Sequence, residues 1–303
     1  MLFWTGRQYN FREGYFQRLW GLIYPWLVYE AASILVMVLY MTFRMMTDPS
    51  LMEALKDLNV YTRMMNNVIQ EEYVQISLFT CLISIPLMLL FMHLDRKKEE
   101  RLNMVRECWE CPKAPAFVLC FLCGAAVCVV VNHVLMFSGL YDLLSDSFEP
   151  VADLLYGGSF LLELIAIGIL TPVVEELIFR GLIFRRIRWT LDAKWAAVLS
   201  ALIFAVFHGN LLQGIYAFAI GLLLAFVYER YHHIMAPIGI HVGANLISVL
   251  LSEENALQKI YESDTAIYAA TLLMMALFVV TFYLILTKIT PARLDEEPAS
   301  DNA

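Results

Sequence analysis

Two adjacent carboxylates and an arginine follow a nearly apolar run in the middle of the chain. They lie in TPVVEELIFRG, residues 171–181, directly after GSFLLELIAIGIL, residues 158–170. An ionisable side chain at the centre of a membrane costs at least ~2.5–3.5 kcal/mol on insertion scales, so a functional role is the first hypothesis for it. Glu176 and Arg180 are four residues apart and share one helix face, which predicts a structural ion pair. Glu175 lies about 100° further round the helix and needs another partner.

Two further motifs carry imidazole and amide groups at the same four-residue spacing. Phe204-Ala-Val-Phe-His208 and His241-Val-Gly-Ala-Asn245 each place two side chains on one helix face. At 1.5 Å per residue from the charged end of its own helix, each polar group lies about 12–21 Å deep. We therefore expect Glu175, His208 and His241 to meet in one site that is reached from the cytoplasmic side. The Phe204 ring is expected to form a wall of that site.

A carboxylate, two imidazoles and an amide can activate water and stabilise an oxyanion, and two versions of this chemistry are open. In the metal-free version, Glu175 is the general base, helped by His208, while His241 and Asn245 donate to the oxyanion. In the metal version, His208, His241 and Glu175 hold Zn²⁺ and the second glutamate is the base. Both versions predict hydrolysis of an amide bond.

The composition is that of a membrane protein. Hydrophobic residues make up 60% of the chain and charged residues 17%, against about 45–50% and about 25% in soluble domains. Apolar runs of spanning length recur, so we predict an all-α, polytopic membrane protein with about eight transmembrane helices in a single membrane domain. Two small-xxx-small pairs, Ala217 with Gly221 and Gly239 with Gly243, favour close packing of the helices that carry the polar motifs. The spans are predicted at residues 22–43, 73–94, 115–137, 156–184, 195–208, 211–228, 234–251 and 266–287.

This pattern divides the chain into three regions and orients it in the bilayer. Residues 1–155 hold three spans with their loops, residues 156–251 hold the catalytic core, and residues 252–303 hold the last span and a tail expected to be disordered. With the N-terminus inside, 17 of the 21 Lys and Arg residues fall on the cytoplasmic side. Both termini are therefore predicted to be cytoplasmic, in a multi-pass protein of the cell membrane. The net charge of −8 gives no indication of a nucleic-acid partner.

The three motifs together resemble those of a known family. EELIFRG is similar to the EExxxR signature of the CPBP family, which comprises intramembrane CAAX prenyl endopeptidases and bacteriocin-processing or self-immunity proteins. Residues 204–208 match its FxxxH motif and residues 241–245 its HxxxN motif, in the same order. The resemblance covers residues 156–251, and the first three spans match only in being hydrophobic.

The resemblance implies an eight-helix membrane protein that cleaves peptide bonds within or near the bilayer. Glu175 would be the catalytic glutamate and His208 its partner in activating water, while His241 and Asn245 would support the oxyanion. The residues with a mainly structural role would be Glu176 and Arg180. The family has been described both as metalloproteases and as glutamic proteases. We favour a reaction without a cofactor, because pairing one glutamate with Arg180 leaves few free ligands, and zinc is the alternative.

Other functions remain open at this stage. The substrate would be a membrane-associated peptide or protein, such as a CAAX protein, a leader peptide or a membrane-protein tail. A non-catalytic scaffold or bacteriocin-immunity protein could keep the same fold, and replacing Glu175 with Gln would leave its phenotype intact. A transporter could use Glu and His as a proton relay, but inverted repeats and paired broken helices are not evident.

Overall fold

The computed structural model describes residues 14–102, 114–252 and 263–287, and those residues form helices and no strands. The first five helices precede the EExxxR motif, and four long helices follow it. The elements before the motif are α1 Tyr15–Thr47, α2 Pro49–Ala54, α3 Leu58–Arg101, α4 Ala114–Phe137 and α5 Leu140–Leu155. Those after it are α9 Ala193–Phe207, α10 Leu211–Tyr231, α11 Met235–Ser252 and α12 Asp264–Thr287.

The EExxxR motif lies in a continuous helical segment that contains two stretches of π-helix, and we call this segment the motif helix. Pro172 is the second residue of α7 and has no backbone N–H to donate, so a wider turn directly before it avoids the clash of a regular helix. The motif residues fall on α7 and the second π stretch. The parts of the motif helix are α6 Phe160–Ile165, π1 Ala166–Leu170, α7 Thr171–Glu176, π2 Leu177–Phe184 and α8 Arg185–Arg188.

The prediction of a helical polytopic membrane protein is confirmed. In the described residues, six helices are long and apolar enough to cross a membrane, namely α1, α3, α4, α10, α11 and α12. The fifth predicted span corresponds to α9, which is apolar but has only 15 residues. The fourth corresponds to the interrupted motif helix. The count of eight spans therefore remains a prediction, as does the division into three regions, and the predicted disordered tail at 288–303 lies outside the described residues.

The motif helix is the centre of the bundle. It packs against α1, α3, α9, α10 and α11, and residues 176–187 are all buried. Helix α4 packs against α11 and α12, outside the motif helix. The glycine pair predicted to bring helices together acts at this second interface, because a Cβ at Gly243 would overlap the backbone of Phe121. The other pair acts at the motif helix, since Gly221 lies beside Ala201 and the Arg180 guanidinium.

Ion pairs fix the C-terminal end of the motif helix to its neighbours. Arg185 donates from Nε to Glu99 over 2.7 Å, and Arg186 donates from Nε to Asp95 over 2.6 Å, which ties this end to α3. Arg188 pairs with Glu229 of α10 at 3.0 Å. These contacts set the axial position of the motif helix, and therefore the depth at which its two glutamates lie.

Candidate active site

The predicted ion pair between Glu176 and Arg180 is present and fully buried. Arg180 Nη1 lies 2.8 Å from Glu176 Oε1, and neither side chain has accessible surface. Arg180 Nη2 also donates to the Gly221 carbonyl at 3.0 Å, and the guanidinium lies 4.6 Å from the centre of the Phe204 ring. Burial of two charges is tolerated where they pair and where further polar or aromatic contacts satisfy them. The arginine thus joins the motif helix to α9 and α10.

His241 of α11 contacts both glutamates. Its Nδ1 lies 2.8 Å from Glu176 Oε1, and its Nε2 lies 3.4 Å from Glu175 Oε2. Glu176 is paired with a cation and is therefore a carboxylate, which only accepts hydrogen bonds, so His241 Nδ1 carries the proton in this contact. In the neutral ring, Nε2 then has a lone pair and faces Glu175. The side chain of Glu175 is 25% exposed, whereas that of Glu176 is not exposed at all.

His208 lies on another edge of the site, next to Phe204. Its Nδ1 donates to the Phe204 carbonyl over 2.9 Å, which leaves Nε2 as the acceptor in the neutral ring. The centre of the Phe204 ring is 4.7 Å from that of His208 and 5.7 Å from that of His241, edge-on to both. Phe204 is therefore the wall shared by the two imidazoles, as expected. Within the described ranges, no hydrogen bond or ion pair joins His208 to Glu175.

A tight turn holds His208 at the end of α9. Gly209 has φ +72°, a conformation that glycine adopts without strain, and a Cβ there would meet open space. Asn210 then caps α10, because its Oδ1 accepts from the Gln213 backbone N–H at 2.9 Å. Its Nδ2 donates to the Gln213 side chain and to the His208 carbonyl. Residues 208–210 therefore form hydrogen bonds with backbone groups at the turn between α9 and α10, and these bonds hold His208 in place.

Asn245 binds the backbone of the motif helix. Its Nδ2 donates to the Ile167 carbonyl at 3.1 Å. Ile167 belongs to π1, where the shifted hydrogen-bond pattern leaves a carbonyl for a side-chain donor. One of the two amide protons of Asn245 is thus used to hold α11 against the motif helix. Its predicted role as an oxyanion donor stays a prediction.

The predicted zinc ligands do not form a metal site in this arrangement. Among the described residues, no group of three or more His, Cys, Asp or Glu side chains could hold a metal ion. His241 Nε2 and Glu175 provide two neighbouring donors, and the third expected ligand, His208, lies against Phe204 instead. The described residues therefore bring together two of the three expected zinc ligands.

The contact between Glu176 and His241 was not predicted from the sequence, and neither were the tyrosines around the site. Tyr29 of α1 and Tyr73 of α3 both interact electrostatically with Glu175. These helices lie outside the region that resembles the CPBP family. A tyrosine in an apolar helix has no spacing signal that would single it out, so these two residues could not be found from the sequence.

Comparison with known proteins supports the family resemblance over the motif region. Residues 157–247 match the family model described as "Rce1-like: Type II CAAX prenyl endopeptidase Rce1-like". The "Putative membrane peptidase YdiL" of Bacillus subtilis (strain 168) is 30% identical over 110 residues, which are 36% of this chain and 44% of that protein. The matched region thus spans less than half the length of that relative, and no solved structure matches the chain significantly. The resemblance predicted from the three motifs is confirmed over this region: residues 157–247, which contain all three motifs, are similar to the Rce1-like family.

Proposed function

We propose that the protein is an intramembrane endopeptidase that hydrolyses a peptide bond in a membrane-associated substrate, with water activated at Glu175. One observation carries this proposal: Glu175 Oε2 lies 3.4 Å from His241 Nε2, and Glu176 accepts a hydrogen bond from Nδ1 of the same imidazole. A partly exposed carboxylate next to an oriented imidazole is suited to removing a proton from water.

In the proposed reaction, Glu175 accepts a proton as the water oxygen attacks the carbonyl carbon of the substrate. His241 presents the lone pair of Nε2 to the same water, because its Nδ1–H is donated to Glu176. This role differs from the oxyanion support expected for His241 from the sequence. The protonated Glu175 then gives its proton to the leaving amine, which restores the carboxylate and completes hydrolysis. His208 is proposed as a second acceptor across Phe204, and Asn245 as an oxyanion donor through its remaining N–H.

We propose that this cycle needs no resident cofactor. The donor set supports this version, since Glu176 is committed to Arg180 and the described residues provide no third ligand beside Glu175 and His241. Zinc remains the alternative that a chelator would test. The substrate class that we propose is a prenylated CAAX peptide, because the matched family is described as CAAX prenyl endopeptidases. Leader peptides are the second class to examine. The cell membrane, with both termini in the cytoplasm, is the proposed location.

The test is cleavage by the purified full chain in liposomes. The probes are farnesylated peptides ending in CAAX sequences and a set of unprenylated leader peptides, each with and without chelator. We expect cleavage by the wild type and a loss of at least ~100-fold in kcat for Glu175→Gln, which removes the base. The matched control is Glu163→Gln, a second buried glutamate of the motif helix whose Oε1 accepts from the Gly158 N–H at 2.9 Å.

Three results would change the proposal. Equal cleavage by wild type and Glu175→Gln would remove Glu175 from the mechanism. Loss of cleavage on chelation, with recovery when Zn²⁺ is added, would replace the metal-free version. Cleavage of no probe by a folded wild-type protein would instead support the non-catalytic scaffold.

A further inference from the structure

The proposed reaction needs a hydrogen-bond donor for the oxyanion, and the motif residues supply few. His241 uses Nδ1–H on Glu176, and Asn245 uses one amide proton on the Ile167 carbonyl. His208 uses Nδ1–H on the Phe204 carbonyl. In their neutral forms, both imidazoles therefore offer acceptors, not donors, to the site. A site that stabilises a developing negative charge on oxygen requires donors aimed at it.

Tyr216 of α10 is a donor that lies at this site and belongs to none of the three motifs. The centre of its ring is 6.3 Å from that of His208, edge-on. It interacts electrostatically with Cys128, with Tyr156 and, more weakly, with Glu175. Tyr216 thus lies next to the histidine on one side and within electrostatic range of the proposed base.

The hydroxyl of Tyr216 has no hydrogen-bonding role in the described part of the fold. Among the residues that the structure describes, no group accepts a hydrogen bond from it. The contact with His208 needs only an aromatic ring, which phenylalanine would provide at a lower desolvation cost. A phenol kept near a carboxylate in an apolar bundle points to a partner that arrives with the substrate.

We propose that the Tyr216 hydroxyl donates a hydrogen bond to the carbonyl oxygen of the scissile peptide bond. This inference rests on the proposed function. As water attacks, the carbonyl π electrons move to oxygen, and the phenol O–H stabilises that charge without giving up its proton. When the carbonyl re-forms and the amine leaves with the proton from Glu175, the hydrogen bond weakens again. Because the charge exists only in the transition state and intermediate, the bond acts on kcat more than on KM.

The first test is Tyr216→Phe, assayed with the farnesylated CAAX peptides in liposomes. The ring and its contact with His208 remain, so the protein is expected to fold. We expect kcat to fall ~10²–10³-fold, the usual effect of losing one oxyanion donor, with KM within about twofold of the wild type. The matched control is Tyr228→Phe on the same helix, whose ring packs against Phe184 away from the site at 5.6 Å. This control should keep wild-type kcat and KM.

The outcomes separate this inference from the proposed function. Wild-type activity in Glu175→Gln would overturn the proposed function and the Tyr216 role with it. Loss of activity in Glu175→Gln, with Tyr216→Phe as active as the wild type, would overturn the Tyr216 role alone. A rise in KM at unchanged kcat would also overturn it, since that pattern reports ordinary substrate binding.

A second measurement does not depend on turnover. 3-Fluorotyrosine is placed at position 216, or at 228 as the control, and the ¹⁹F resonance of the purified protein is compared with and without Glu175→Gln. A hydroxyl that faces the site should show a changed resonance at position 216 and an unchanged one at position 228. No change at 216 would mean that the phenol does not face Glu175, which would overturn the proposal.

Discussion

Removing the charge of Arg180 should destabilise the protein more than removing the whole ion pair. In Arg180→Met, the Glu176 carboxylate would stay buried with zero accessible surface and no cation beside it. Its Oε1 would keep the bond from His241, and its Oε2 has no hydrogen-bond partner in the described structure. An uncompensated buried charge of this kind typically costs about 3–5 kcal/mol of unfolding free energy.

The double variant Glu176→Gln with Arg180→Met should recover much of this loss. It contains no buried charge, and the Gln side-chain oxygen can still accept from His241 Nδ1. What remains lost is the contact of the guanidinium with Phe204 and its hydrogen bond to the Gly221 carbonyl. The cation–π contact is worth about 0.5–2 kcal/mol. The hydrogen bond to the Gly221 carbonyl contributes less, because a carbonyl within a helix also has a backbone partner. We therefore expect the double variant to lose about 1–2 kcal/mol.

The assay is the unfolding free energy in mixed micelles titrated with a denaturing detergent, for the wild type, both single variants and the double variant. A coupling of at least ~2 kcal/mol between the two positions is expected from the difference between the single and double losses. Cleavage activity of the double variant should exceed that of Arg180→Met, because it has no uncompensated buried charge and more of it stays folded, while His241 keeps an acceptor in both variants. Additive single losses within about 0.5 kcal/mol would refute the reasoning, since they would mean that the two charges do not depend on each other.

Three further changes test the parts that hold the histidines. Phe204→Ala should cost about 3–5 kcal/mol in unfolding free energy, because the ring is 2% exposed. It should also abolish cleavage, whereas Phe204→Leu should keep most of the stability; equal losses in both would contradict the packing argument. Asn210→Ala removes the cap of α10 and should cost about 0.5–2 kcal/mol, and a melting temperature equal to that of the wild type would contradict this. Gly243→Ala should prevent α11 from packing on α4, because the new Cβ would overlap backbone, while Gly21→Ala, whose nearest neighbour is 3.8 Å away, should fold normally. Equal amounts of folded protein for these two glycine variants would contradict this, since they would show that the α4–α11 interface can adjust to the added methyl group.

Local geometry explains what the sequence could predict. The ion pair between Glu176 and Arg180 follows from a four-residue spacing on one helix, and no tertiary information is needed to expect it. The long apolar helices follow equally from hydropathy. The meeting of Glu175 and His241 was also expected, from their similar depth, and their atoms lie 3.4 Å apart.

Contacts between helices were harder to predict, because spacing gives the face of a helix and not its neighbour. Glu176 was assigned to Arg180 alone, yet its Oε1 also holds His241. Gly243 was taken as a sign of close approach at the site, but the backbone that it approaches is that of Phe121 on α4. The side-chain amide of Asn245 donates to the Ile167 carbonyl. That carbonyl lies in π1, where the regular hydrogen-bond pattern of the motif helix is interrupted. Each of these depends on rotation and helix irregularity, which hydropathy does not report.

Burial along the motif helix also bears on how a substrate reaches Glu175. From residue 176 to residue 187 every side chain is buried, and the far end is fixed by ion pairs to α3 and α10. Thr171, Val173 and Glu175 are instead partly exposed. On this helix, the partly exposed residues nearest Glu175 therefore lie towards its N-terminal side, away from the arginine-rich end. We therefore expect a substrate to approach Glu175 from that side, near Tyr29 of α1 and Tyr73 of α3, which both interact electrostatically with Glu175. Those two helices lie outside the region that matches the family model.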